Sequence, residues 1–102
     1  MLYAVTISYV RPPEEVDAHL DTHRDWLVRH SKAGRIIVAG PLEPRIGGFL
    51  LVQCNSRAEL DTMLAEDSYA VHKVATSDIR AFSPALRLQA FPATWAPEAK
   101  GI

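Results

Sequence analysis

Three histidines, His19, His23 and His30, stand on one stretch of the chain, Glu14 to Gly34 (EEVDAHLDTHRDWLVRHSKAG). Wound as a helix at about 100° per residue, the stretch brings them within roughly 40° of one another. Imidazole ordinarily titrates near neutrality, so such a cluster suggests metal ligation or proton transfer. His19 and His23 are one turn apart, a spacing able to chelate zinc or copper. His30 lies about 10 Å further along the axis, too far to join the same ion. The Glu that a zinc protease helix carries between its two histidines is missing, and no cysteine lies near. No metal and no other cofactor is expected, and protein purified without a histidine tag should carry none.

His23 has the more informative position. Val16, Leu20, Trp26 and Leu27 share the apolar side of the helix, and His23 sits among them, between Leu20 and Leu27. A histidine there is either a core group donating to a backbone carbonyl or a working acid/base. The second role needs a carboxylate to fix the tautomer. Asp17, Asp21 and Asp25 fall on the opposite side of a continuous helix. Asp67 and Asp78 remain, and Asp67, at the end of the second helix, is the better placed. Trp26 and Tyr69 are candidates to line a pocket, and Gly40-Pro41 could bring backbone close to a ligand. Cys54 has no evident activating base and reads as strand packing. No glycine-rich phosphate loop or Ser-His-Asp spacing is present.

The elements that must position these residues follow from hydrophobic periodicity. Leu2 to Val10 alternates as a strand whose two faces are both apolar or small, the mark of a central strand. Arg11-Pro12-Pro13 ends it, and Pro13, Glu14 and Glu15 suit a helix N-terminus. The first helix runs to Gly34, suited to a left-handed C-cap. Arg35–Gly40 and Gly48–Cys54 read as strands, separated by an irregular loop containing Pro44 and Gly47. Ser56-Arg57-Ala58-Glu59 is a capping box opening a second helix with Leu60, Met63 and Leu64 on its buried stripe. Ser68 to Val74 is ambiguous. Asp78–Phe82 reads as a fourth strand and Leu86–Phe91 as an extra one. Residues 1–91 form one domain, and residues 92–102 a tail that orders against a neighbour.

The order βαββαβ plus an extension predicts an α+β fold of the ferredoxin-like split βαβ kind. Two helices cover only one face of such a sheet. The first and third strands read as covered on both, which predicts a second subunit packed sheet to sheet.

The chain has 102 residues, a net charge of −1, 48% hydrophobic and 23% charged residues, and one cysteine. That is an ordinary single globular domain. The scattered basic residues form no stripe for phosphates, which argues against nucleic acid. One cysteine excludes an internal disulfide. No apolar run reaches membrane-spanning length and no leader precedes the first strand, so a cytoplasmic protein is expected.

His23-Arg24-Asp25-Trp26-Leu27, Gly34-Arg35-Ile36, Ala39-Gly40-Pro41, Gly47-Gly48 and Asp67-Ser68-Tyr69 follow an opening Met-Leu-Tyr. In order and spacing, over residues 1 to about 83, they resemble the YciI-like family. The resemblance implies a dimeric α/β barrel of ferredoxin-like subunits and a pocket built on a His-Asp dyad, here His23 and Asp67. It also implies proton transfer of lyase or isomerase type on aromatic or cyclic metabolites; a chlorohydroxyquinol dehydrochlorinase and muconolactone isomerases look similar. Where the family has Asp-Pro-aromatic, this chain has Asp67-Ser68-Tyr69. The competing expectation is a non-catalytic ligand-binding or assembly module using the same pocket.

Overall fold

Strand β1, Leu2–Tyr9, occupies the middle of a four-stranded antiparallel sheet in the computed structural model, which describes residues 1–102. After it come helices α1 (Pro13–Asp17) and α2 (Leu20–Lys32), then strands β2 (Ile36–Pro41) and β3 (Gly47–Gln53). Helices α3 (Arg57–Ala65) and α4 (Ser68–Val71) precede strand β4 (Ala75–Phe82). The sheet order β2-β3-β1-β4 is that of the ferredoxin-like fold. β1 earns its central place by alternation: Tyr3, Val5 and Ile7 point into the core, with Val5 paired to Leu50 on one side and Ile79 on the other. Val16, Trp26, Leu60 and Met63 from the helices close over these residues.

The opposite face has no helical layer: at one end Leu2 is buried and shares a cleft with Leu51, Phe82 and Phe91, and the rest is open. Val38 and Phe49 are exposed there, beside half-buried Ala4, Thr6 and Leu51. This chain therefore covers the second face of β1 and β3 only at one end, and leaves it open around Val38 and Phe49.

Several boundaries differ from the periodicity. The stretch expected as one helix is broken at Ala18 and His19, where the His19 amide bonds to Val16 O instead of continuing the α pattern. The His19 carbonyl takes hydrogen bonds from Thr22 Oγ1 at 3.0 Å and Ser68 Oγ at 3.1 Å. A contact from a distant segment thus helps fix the break, which helical periodicity does not reveal. Gly34 ends α2 at φ +82°, as its C-cap role required. Ser56 accepts from the Glu59 amide, half of the expected capping box. The ambiguous Ser68–Val74 segment begins as α4, capped by Asp67.

The C-terminal segment also departs from expectation. Only Leu86–Arg87 (β5) is extended, and it pairs in parallel with Lys100–Gly101 (β6). Lys100 N donates to Ala85 O, Ile102 N to Arg87 O and Gln89 N to Ile102 O, while Ala96 and Ala99 are buried. The tail makes these bonds within its own chain. No helix is long and apolar enough to cross a membrane.

Candidate active site

His23 and Asp67 meet: Nδ1 lies 2.7 Å from Oδ1. Each is held by local structure. His23 stands one turn inside α2. Asp67 is the N-cap of α4, where the same Oδ1 accepts from the Tyr69 amide at 3.2 Å. An oxygen accepting there leaves His23 Nδ1 to act as the donor, so the imidazole carries its lone pair on Nε2. Nε2 has no partner in the protein and is not sealed off. The side chains of His23 and Asp67 are 12% and 5% exposed, and His23 sits at the inner wall of a cavity.

That cavity holds about 300 Å³ and opens between α1, α2 and the β2-β3-β1 portion of the sheet. His23, Gly40, Pro41 and Tyr69 line it. The register sets what each contributes. Ala39 and Pro41 pair with Leu50 and Gly48, while Gly40 pairs with Phe49 and so offers the cavity backbone rather than a side-chain direction. Asp67 lies behind His23 and does not line the space.

Trp26 is a correction. Its ring is 2% exposed and its Nε1 donates to Met63 O at 2.9 Å, so it belongs to the core that backs His23, with ring centroids 5.7 Å apart. A tryptophan on the apolar side of a helix serves equally as core or pocket wall; the indole N–H found its partner on α3.

Tyr9, Asp17, Arg24 and Arg45 also line the cavity and were not anticipated. Asp17 had been excluded on a continuous helix, and the break at Ala18–His19 removes that premise. Arg45 Nη2 reaches Asp17 Oδ1 at 2.8 Å, and its guanidinium lies 5.3 Å from the Tyr9 ring centre. Its loop is pinned by Gly47, where a Cβ would stand 1.8 Å from Ile7 O, so no larger residue fits. A lone charge in a loop bounded by Pro44 and Gly47 was the available signal.

Tyr69 stacks face to face on His23, with centroids 3.9 Å apart and planes within 5°. The phenol is pushed up to about 12, chiefly by burial and next by Tyr9, with Arg45 opposing. It is a neutral donor at physiological pH. Ser68, standing where the family pattern has proline, ties α4 to the His19 carbonyl through a bond proline has no hydroxyl to make. His19 itself stacks on His72, centroids 3.9 Å apart, and shares no partner with His23.

Taken together, a carboxylate-oriented imidazole with a bare nitrogen in a small, half-apolar cavity is equipped to take up and return a proton. Among solved structures, the chain is similar to 5-chloro-2-hydroxyhydroquinone dehydrochlorinase from Burkholderia phenoliruptrix AC1100, determined in complex with 2,5-dihydroxybenzoquinone. The TM-score is 0.64 at 16% identity, over 82% of this chain and 95% of that one, a likeness of fold. No curated protein matches the sequence. The model of the YCII-related domain matches residues 1–83, which takes in the whole four-stranded sheet, the helices and both members of the His23–Asp67 pair, and the chain belongs to that family.

Proposed function

We propose that the protein is a small-molecule enzyme in which His23 is the general acid/base and Asp67 orients it. The observation that carries this reading is the division of labour on the imidazole: Nδ1 is spent on Asp67, and Nε2 is left without a partner beside the cavity. Asp67 holds the tautomer that presents a lone pair and stabilises the imidazolium formed when that nitrogen takes a proton. The reaction class that fits is elimination or isomerisation through proton transfer at an activated carbon. A cavity of about 300 Å³ suits a single-ring or similarly small metabolite, at the low end of ligand-site volumes. The fold likeness to a dehydrochlorinase is consistent with that class and supplies no substrate.

His23→Asn tests the assignment. The Asn amide can still donate to Asp67 from the position of Nδ1, while nothing replaces Nε2. Turnover of substrates found in a metabolite screen should fall by about 10²–10⁴-fold, with the melting temperature nearly unchanged. Retained turnover in a folded variant refutes the assignment.

The subunit is proposed to work as a homodimer joined through its open sheet face, where Val38 is 58% and Phe49 37% exposed. Sedimentation at micromolar concentration should give a dimer, and Val38→Asp should give monomer. A wild-type monomer contradicts this.

A further inference from the structure

The Tyr69 side chain is 1% exposed, yet its hydroxyl has no hydrogen-bond partner anywhere in the protein. Buried polar groups are normally satisfied, so an orphaned hydroxyl on a cavity-lining residue, closed off from solvent until a substrate reaches it, is a donor awaiting an acceptor. Its surroundings say which acceptor. The ring is fixed between the His23 imidazole, stacked at 3.9 Å, and the Tyr9 ring, edge-on at 5.9 Å. Arg45 stands over Tyr9, and its field already lowers the cost of negative charge at the Tyr69 hydroxyl. Arg45 has a side chain 42% exposed, and its one side-chain hydrogen bond is to Asp17.

We infer that Tyr69 is a catalytic residue that donates to the oxygen of an enolisable carbonyl substrate, with Arg45 leaving Asp17 to flank the same oxygen as it becomes anionic. The inference rests on His23 being the base. The substrate C–H bond breaks and its proton passes to Nε2. The electron pair forms a C=C bond, and the carbonyl oxygen takes the negative charge while accepting from Tyr69. Return of the proton from the imidazolium to another carbon completes an isomerisation. Departure of a leaving group on the neighbouring carbon, with its bonding pair, completes an elimination instead. The phenol's raised pKa keeps it a donor rather than a competing anion throughout.

The probe is para-nitrophenol, whose phenolate mimics the enolate oxygen and reports its own ionisation by visible absorbance, with nitrobenzene as the control lacking that oxygen. Wild-type protein should bind the phenolate in preference to nitrobenzene and lower the apparent pKa of the bound phenol. Tyr69→Phe should weaken phenolate binding by about ten- to a hundredfold and leave nitrobenzene binding unchanged. Because the lost hydroxyl has no partner, Tyr69→Phe should also melt no lower than wild type. The inference is overturned by any of three results: no phenolate preference in wild type, unchanged phenolate affinity in Tyr69→Phe, or a melting temperature that falls in that variant. His23→Asn separates the two readings. If it keeps the phenolate preference while Tyr69→Phe loses it, the oxygen belongs to Tyr69. If His23→Asn alone loses the preference, the oxygen belongs to the imidazole and the inference fails. The dyad reading is judged independently, by turnover of His23→Asn.

Discussion

Two histidines on α2, two turns apart, each bond a carboxylate from the junction of α3 and α4, and their second nitrogens meet opposite fates. His30 Nε2 donates to Glu66 Oε1 at 2.9 Å, and its Nδ1 accepts from Arg35 Nε at 2.9 Å. Both ring nitrogens are occupied, the ring is 4% exposed, and it does not line the cavity. His23 bonds Asp67, the next residue along from Glu66, through Nδ1 only, and its Nε2 remains open. A His–carboxylate pair is therefore not in itself a sign of chemistry. What separates the two pairs is the second nitrogen: satisfied in His30, available in His23.

Substitutions at the two carboxylates break the comparison at its strongest points. Asp67→Ala removes both bonds on Oδ1, the one that orients His23 and the one that caps α4. It should lower turnover by about 10²–10⁴-fold and destabilise by about 1 kcal/mol through the lost cap, readable in steady-state kinetics and thermal melting. Asp67→Asn is the sharper variant. Both bonds use the same oxygen, so the Asn carbonyl can keep them and only the negative charge is lost. Its turnover should fall between wild type and Asp67→Ala, by about tenfold for each unit of basicity lost, with α4 intact.

A smaller effect is expected at the structural pair. His30→Ala strands Arg35 Nε and leaves a void in the core. It should cost about 1–3 kcal/mol of stability, measured by urea unfolding, with turnover retained. The network should also show in the acid limb. The His30 hydrogen bond, with help from Arg29, holds Glu66 below its ordinary value of 4.5. A carboxyl with a depressed folded pKa contributes stability above its unfolded pKa, and that contribution disappears as pH falls through the folded value. Between pH 7 and the region below 4.5, Glu66→Gln should therefore lose less stability than wild type. Because Glu66 is largely solvated, the difference should be small.

The same contrast explains what the sequence conveyed. Alternation in Leu2–Val10 and the near-continuous apolar run of Gly48–Cys54 were enough to name the central strands, and the order of elements led to the split βαβ fold. Asp67 was reachable because its position at the end of α3 follows from topology. Helical periodicity could not distinguish His23 from His30, since both lie on the buried side and the distinction rests on Arg35 and the cavity. It also could not foresee the break at Ala18–His19, where Ser68 bonds the His19 carbonyl across 49 positions of the chain. Arg45, Tyr9 and Asp17 came together only because Gly47 lets the loop close against Ile7 O. Such contacts between distant segments leave no periodic trace.

The claim that His23 and His30 differ in their open nitrogen is tested most directly by long-range proton–nitrogen NMR of the imidazole rings, at a pH where both are neutral. His23 should carry its proton on Nδ1, with a bare Nε2 whose signal shifts when a cavity ligand is added. His30 should carry its proton on Nε2, bonded to Glu66, and stay unresponsive. A His23 protonated on Nε2, or one whose signals ignore every cavity ligand, would contradict the account.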